Sequence, residues 1–142
     1  MTIQEIQEIQ DEIVDEFSMF EDWMQRYEYI IDLGKSLPLI DEQFKTEDNI
    51  IKGCQSKVWV HAEQQGEKVV FTADSDAILT KGIIAILIRA FSNQKAADIL
   101  EANTDFIDKI GLKEHLSPTR ANGLVSMVKK IKMYALGFNA KN

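Results

Sequence analysis

Two amphipathic helices are predicted at the start of the chain, where apolar residues recur every three or four positions. In residues 2–17 isoleucines and a phenylalanine share one side, acidic residues occupy the other, and Thr2 is a candidate N-cap. Residues 20–34 repeat the pattern with aromatic and isoleucine side chains, and Gly34 is expected to end that helix. Both apolar stripes are typical of helix faces that pack on a core.

A β-hairpin is predicted in the middle of the chain by two runs of β-branched and aromatic residues. Residues 58–63 and 68–73 are the expected strands, and Gln65 with Gly66 is expected to form the turn. Residues 35–49, which precede the hairpin, show neither helical nor strand periodicity. We expect them to form a long connection.

The most apolar helix is predicted at residues 77–91, where hydrophobic side chains occur nearly all round. Such a helix is expected at the centre of the fold. Asp74, Ser75 and Asp76 precede it and are expected to cap its first amides. Gly82 inside it indicates close packing against the sheet or against the loop before the hairpin.

Three further helices are predicted after the central one. Residues 96–102 and 104–110 form two short helical patterns, and a turn follows at Gly111. The last helix is expected to begin at Ser117-Pro118, because serine is a good cap and proline suits the first helical position. Gly137 is expected to end it.

Length and composition indicate one globular domain without a membrane segment. The chain has 142 residues, of which 45% are hydrophobic and 27% charged. Its longest apolar run, Gly82–Ile88, is too short to cross a bilayer, and the N-terminus lacks the pattern of a secretory signal. A single cysteine excludes an internal disulfide and is at home in a reducing compartment. We therefore expect a cytoplasmic protein.

The net charge of −7 is distributed unevenly along the chain. Residues 1–50 hold 14 acidic and 3 basic side chains, whereas residues 113–142 hold 1 acidic and 6 basic ones. This distribution disfavours nucleic-acid binding by the whole domain. It could instead steer a protein partner that carries a complementary patch.

The only cysteine, Cys54, is the main candidate for chemistry. A free cysteine is often a small buried hydrophobe, but here its neighbours are typical of a loop. They comprise a glycine that lets a partner approach, two polar side chains that could hydrogen-bond a thiolate, and two lysines that would favour the anion. In chain order these neighbours are Lys52, Gly53, Gln55, Ser56 and Lys57.

Metal and hydrolase chemistry find little support in the sequence. One cysteine and two histidines are too few for a tetrahedral zinc site or an iron–sulfur cluster, so no metal is expected. A hydrolase that pairs Cys54 with His61 or His115 stays formally open, although neither surrounding sequence resembles a signature of that chemistry. His61 is otherwise an ordinary strand residue. Acceptance of a sulfur atom from a persulfide fits the loop best.

Several motifs lie in one order over about residues 20–135. They are Tyr29–Gly34 with Leu37-Pro38, Ile51–Trp59, Asp74–Ala77 with Lys81-Gly82, and His115–Leu124. In this order they resemble the SufE family of sulfur-acceptor proteins, which includes the CsdE branch.

The resemblance implies a single compact α+β domain over residues 1–142, with a small antiparallel sheet packed against helices as in IscU-type scaffolds. It implies that Cys54 is the persulfide acceptor. The sulfur would come from a pyridoxal-phosphate-dependent cysteine desulfurase, SufS-like or CsdA-like, which the acceptor stimulates by removing its product. It would then pass to an iron–sulfur scaffold complex of the SufBCD type.

The resemblance further implies that this chain is a carrier rather than an enzyme and holds no cofactor, because the pyridoxal phosphate belongs to the desulfurase. It marks Arg120 and Asp74 as contacts to the anion or to a partner, and His115 as structural. Since an exposed persulfide is easily lost, we expect Cys54 to rest in a shallow apolar pocket and to swing outward when the desulfurase docks. The alternatives are an IscU-like scaffold, a thiol hydrolase and a purely structural module.

Overall fold

In the residues that the computed structural model describes, 3–54 and 56–141, the chain forms seven α-helices, one short 3-10 helix and a three-stranded sheet. The helices are α1 (Ile3–Ser18), α2 (Trp23–Lys35), α3 (Ile78–Phe91), α4 (Ala96–Glu101), α5 (Asp105–Lys109), α6 (Leu112–His115) and α7 (Pro118–Lys141), and the 3-10 helix is Glu42–Phe44. The strands are β1 (Val58–Gln65), β2 (Lys68–Ser75) and β3 (Gln94–Lys95). The predicted α+β fold with an antiparallel sheet against helices is confirmed.

The sheet has the order β1-β2-β3, and both pairs are antiparallel. The predicted hairpin is confirmed, and each of its strands runs two residues beyond its predicted end. The turn lies at Gly66 and Glu67 rather than at Gln65 and Gly66, and Gly66 takes the positive φ of 64° that a tight turn requires. Strand β3, which has only two residues, was not predicted.

Helix α3 is the buried centre of the domain, as its composition predicts. Ten of its fourteen residues are buried, and it contacts α1, α2, α7 and β2. Gly82 permits the approach of α2, since an ideal Cβ on it would lie 2.1 Å from the carbonyl oxygen of Ile30. The predicted close packing at Gly82 is therefore correct, but its neighbour is α2 and not the sheet or the loop.

Helix ends differ from the predictions at both glycines that were expected to stop a helix. Asp22 caps α2 by accepting a hydrogen bond from the Gln25 N–H at 2.8 Å, so this helix begins later than predicted. Gly34 lies inside α2, where its ideal Cβ would be 3.0 Å from the backbone of Gly82. Gly137 also lies inside a helix, because α7 continues to Lys141.

Three predictions concern the ends of other helices. The prediction that Asp74, Ser75 and Asp76 cap α3 is correct in part, because Ser75 Oγ accepts a hydrogen bond from the Ala77 N–H at 3.2 Å. Ala77 is the N-cap, its own side chain makes no capping hydrogen bond, and Asp76 Oδ1 accepts from the Lys57 N–H instead. The turn predicted at Gly111, which has a φ of 75°, leads directly into the short helix α6. Thr2, the proposed cap of α1, lies outside the described residues.

The predicted connection between α2 and β1 is partly tied to the sheet. Leu39 forms a parallel bridge with Ala73 in β2, and Ile50 forms an antiparallel bridge with Trp59 in β1. Between these bridges the ring of Phe44 stacks on a strand side chain. The connection therefore delivers the chain to the cysteine in a fixed register.

Candidate functional site

Cys54 lies in a loop whose base is closed like that of a hairpin. The Ile51 N–H donates a hydrogen bond of 2.8 Å to the Val58 carbonyl. Residues 52–57, here called the cysteine loop, thus leave and rejoin the sheet at adjacent points. The bridge between Ile50 and Trp59 continues this pairing outward. The two apolar pairs that flank the loop, Ile50-Ile51 and Val58-Trp59, form this closed base.

A second set of contacts holds the exit of the cysteine loop. The Lys57 N–H donates to Asp76 Oδ1 at 3.0 Å, and Ser75 Oγ donates to the Lys57 carbonyl at 2.9 Å. The Asp76 N–H also donates to the Lys57 carbonyl, at 3.2 Å. The residues predicted to cap α3 therefore hold the cysteine loop to the end of β2.

The tip of the loop packs against the first turns of α7. Cys54 Sγ lies 3.6 Å from the Gly123 carbonyl oxygen, to which the thiol donates a hydrogen bond. Gly53 has a φ of 94°, and an ideal Cβ on it would lie 2.8 Å from Ser126 Oγ, one turn further along α7. The positive φ favours glycine at position 53, and the contact with Ser126 adds to the close packing.

A small cavity of about 10 Å³ lies beside the sulfur. Cys54 itself is half-buried, so the expected shelter is present. Its lining, however, is mixed rather than apolar. It contains Ile83 and Met127 but also the polar residues Ser56, Thr80, Thr119 and Arg120.

Burial raises the pKa of the Cys54 thiol above its ordinary value. This direction is opposite to the one expected from Lys52 and Lys57, and both lysines are exposed. Lys57 contributes to the loop through its backbone, as described above. Because the thiolate is the nucleophile, the resting thiol is poorly reactive at neutral pH until its surroundings change.

Arg120 is brought to the cysteine, as the resemblance implies. It lies in the first turn of α7, is exposed, and lines the cavity beside Cys54. Its backbone N–H donates to Ser117 Oγ at 3.3 Å, so the predicted serine cap positions this turn. Arg120 therefore places a positive charge at the edge of this cavity.

Asp74 does not line the cavity beside Cys54. It forms ion pairs with Lys45 at 2.9 Å and with Lys81 at 3.4 Å, and the Lys45 ammonium lies 5.4 Å from the centre of the Trp59 ring. Burial by itself would raise the pKa of Asp74. Hydrogen bonds from Lys45 and the Ser75 N–H, together with the charges of both lysines, lower it overall. Asp74 therefore joins β2 to α3 and to the connection.

Neither histidine lines the cavity. His61 stacks on Phe44 at 3.7 Å between ring centres, and His115 stacks on Trp23 at 3.8 Å. Cys54 therefore has no histidine beside it that could act as a base. His115 also has its Nδ1 3.1 Å from the Gly111 carbonyl, a contact that fits a structural role.

Sequence reasoning missed Gly123 as a part of the site. The feature of the sequence that could have indicated it is a glycine inside a predicted helix, within the motif His115–Leu124. Thr80, Ile83 and Met127 were also missed, because their helical pattern predicts only packing. Gln55, which was predicted to support the thiolate, lies outside the described residues.

Within residues 3–54 and 56–141, no group of three or more histidine, cysteine, aspartate or glutamate side chains could hold a metal ion. Nor does any helix there have both the length and the hydropathy needed to span a membrane.

Comparison with known proteins gives a consistent result. Residues 11–135 match the SufE family, an Fe-S metabolism associated domain. An uncharacterized SufE-like protein of Rhizobium meliloti (strain 1021) is 42% identical over 132 residues, covering 89% of this chain and 94% of that protein. SufE-like protein 1, chloroplastic/mitochondrial, of Arabidopsis thaliana is 40% identical over 140 residues, covering 98% of this chain and 38% of that longer protein.

A solved structure agrees with the fold. The solution structure of a hypothetical protein from Thermus thermophilus superposes with a TM-score of 0.76 at 19% identity, covering 91% of this chain and 94% of that one. The family match includes the cysteine loop, α3 and the first turns of α7, which together line the cavity beside Cys54. By these matches the chain belongs to the SufE family, which gives it a sulfur-transfer role in Fe–S metabolism.

Proposed function

We propose that Cys54 is the sulfur acceptor of this chain, taking persulfide sulfur from a cysteine desulfurase and passing it to an iron–sulfur scaffold complex. The observation that carries the proposal is the placement of the only cysteine at the tip of a loop closed at its base. A side chain at such a tip can be presented to a partner without unfolding the sheet. Membership of the SufE family supports the same role.

The transfer is a thiol–persulfide exchange. Cys54 loses its proton, and its thiolate attacks the outer sulfur of the desulfurase persulfide. A new S–S bond forms at Cys54 while the S–S bond on the desulfurase breaks. The desulfurase cysteine leaves as a thiolate and takes up a proton. No oxidant or reductant is consumed, because the transferred sulfur keeps its oxidation state.

The resting site protects the thiol, and docking of the desulfurase activates it. Burial keeps Cys54 protonated in the cavity, which limits side reactions with other thiols and oxidants. Movement of the loop tip toward the desulfurase exposes the sulfur and returns the thiol pKa toward its ordinary value. Arg120, beside the cavity, then stabilises the thiolate or the persulfide anion.

The partners follow from this chemistry. Pyridoxal phosphate resides on the desulfurase, and this chain contributes only the thiol and its surroundings. Removal of the persulfide frees the desulfurase for another turnover, so the chain acts as its activator. We place Asp74 outside the reaction, as a residue that fixes the framework behind the loop. A cytoplasmic location stays a prediction.

The decisive experiment mixes the protein with a cysteine desulfurase and L-cysteine and then measures alkylated intact masses. Wild type should gain one sulfur, about 32 Da, and should raise the desulfurase turnover. Cys54→Ser should do neither. Ser56→Ala, a change in the same loop that keeps the thiol, should still accept sulfur.

Two results would contradict the proposal. One is the absence of both the mass gain and the stimulation in wild type. The other is stimulation that is equal in wild type and in Cys54→Ser, because activation would then not depend on sulfur acceptance.

A further inference from the structure

Gly123 contacts the sulfur of Cys54 more closely than a side chain normally allows. An ideal Cβ on Gly123 would lie 3.1 Å from Sγ and 3.6 Å from the Cα of Cys54. The first of these distances is shorter than ordinary van der Waals contact. A methyl group at position 123 would therefore press on the cysteine loop.

The backbone of α7 does not itself require glycine at position 123. Among the glycines that the structure describes, positive φ angles occur at Gly53, Gly66 and Gly111. Gly123 lies instead within α7, where glycine is less favourable than alanine. What glycine provides at this position is room for the sulfur of Cys54. Gly137 in the same helix has no atom within 4 Å of its ideal Cβ and provides a matched control.

The cavity beside the thiol leaves little room for a second sulfur. A persulfide places its outer sulfur about 2 Å beyond Sγ. The cavity measures about 10 Å³, while one water molecule needs about 10–15 Å³. A sulfur atom is larger than the oxygen of water. A second sulfur would therefore crowd the residues that line the position of the unloaded thiol.

We propose that Gly123 is a positioning residue that seats the unloaded Cys54 thiol against α7, and that loading with sulfur displaces the tip of the cysteine loop from this seat. This inference rests on the proposed function. The displacement is limited to the tip, because Ile51, Val58 and Lys57 hold the base. The empty and the loaded carrier then present different surfaces, which lets the delivering and the receiving partner each recognise the correct form.

The first test measures how fast a bulky maleimide alkylates Cys54 in the isolated protein. Gly123→Ala should react at least about fivefold faster than wild type, because the added methyl group disfavours the seated loop. Gly137→Ala should react at the wild-type rate. Circular dichroism confirms that both variants are folded. Equal rates for Gly123→Ala and wild type would overturn the inference.

The second test needs only wild-type protein, so it is informative even if Gly123→Ala folds poorly. Polysulfide transfers one sulfur to the Cys54 thiolate and leaves a polysulfide one atom shorter, and intact mass identifies the loaded sample. Hydrogen exchange at residues 52–57 should become faster on loading, while exchange in β1 should stay unchanged. Unchanged exchange throughout the loop would overturn the inference.

Neither test uses a desulfurase, so the two proposals fail separately. If both tests succeed but the desulfurase does not load Cys54, then Gly123 positions the unloaded thiol as proposed and the proposed function is wrong. If the desulfurase loads Cys54 but both tests fail, the function stands and the role of Gly123 falls.

Discussion

Gly82 in α3 and Gly123 in α7 each permit a close approach, but they do so in different ways. An ideal Cβ on Gly82 would lie 2.1 Å from the carbonyl oxygen of Ile30, whereas one on Gly123 would lie 3.1 Å from the sulfur of Cys54. The first contact joins two backbones in the core. The second joins a backbone to a half-buried side chain in a loop. The first is fixed, because both partners are held by helices, and the second is separable, because one partner can move away.

The largest effect is expected from changing the fixed contact. Gly82→Ala should lower the free energy of unfolding by about 3 kcal/mol or more, since a helix carbonyl cannot move aside for a methyl group. Urea unfolding measures this loss. A loss below about 1 kcal/mol would show that α2 and α3 separate easily, and the distinction between the two contacts would fail.

A smaller effect is expected at Asp74, which belongs to the fixed framework behind the loop. Asp74→Asn should cost about 1–2 kcal/mol at pH 7, because Lys81 loses its ion pair and Lys45 keeps only the one with the exposed Glu42. The pKa of Asp74 is lowered in the folded protein, so its contribution is complete above the ordinary carboxyl pKa of about 3.9 and is lost as the pH falls through the folded value.

The difference between wild type and Asp74→Asn should therefore shrink in acid, as unfolding experiments across pH would show. Asp32→Asn is the matched control, because Asp32 pairs with Lys35 on the exposed surface. It should change stability by less than about 0.5 kcal/mol. A cost at Asp74 that stays the same down to pH 2 would contradict this assignment.

Gly137 differs from both Gly82 and Gly123, because no atom lies within 4 Å of its ideal Cβ. Gly137→Ala should raise the free energy of unfolding by about 0.5–1 kcal/mol, because alanine is the better helix former and meets no obstacle. Thermal unfolding measures the gain. Destabilisation by this change would mean that α7 needs glycine for a reason other than contact.

The smallest effect on stability is expected from the separable contact itself. Because burial raises the pKa of the Cys54 thiol, the folded state retains that proton to higher pH than the unfolded chain. Its contribution is complete below the ordinary thiol pKa of about 8.5 and is lost as the pH rises through the folded value. Wild type should lose stability relative to Cys54→Ser as the pH rises above about 8.5. A gain in the relative stability of wild type over this range would mean that folding lowers the pKa of the thiol.

Much of the fold could be predicted because periodicity reports which face of a segment is buried. The hairpin and α3 show this best: alternation marks the strands, and the nearly continuous apolar run marks the central helix. The glycines were harder to interpret. Gly34 and Gly137 match the pattern of a helix stop, but whether a glycine ends a helix or sits inside it depends on neighbours that are distant in sequence. Strand β3 is too short to show any periodicity.

Only those features of the site that depend on residues close to Cys54 in the sequence could be predicted. Cys54 is distinctive because it is the sole thiol and its neighbours are polar. Its contact with Gly123 spans 69 residues, and no local pattern reports that distance. The pKa of the thiol was misjudged for the same reason. Flanking lysines are visible in the sequence, whereas burial by α3 and α7 arises only in the folded chain.

The hydrogen bond between Ile51 and Val58 also sets a limit on how far the sulfur can travel. With the base closed, Cys54 is three residues from Ile51 and four from Val58, and an extended chain spans about 3.3–3.6 Å per residue. The Cα of Cys54 therefore lies at most about 11 Å from that of Ile51. On the proposed function, a donor sulfur must therefore come close to the surface around Ile51 and Val58 to reach Cys54.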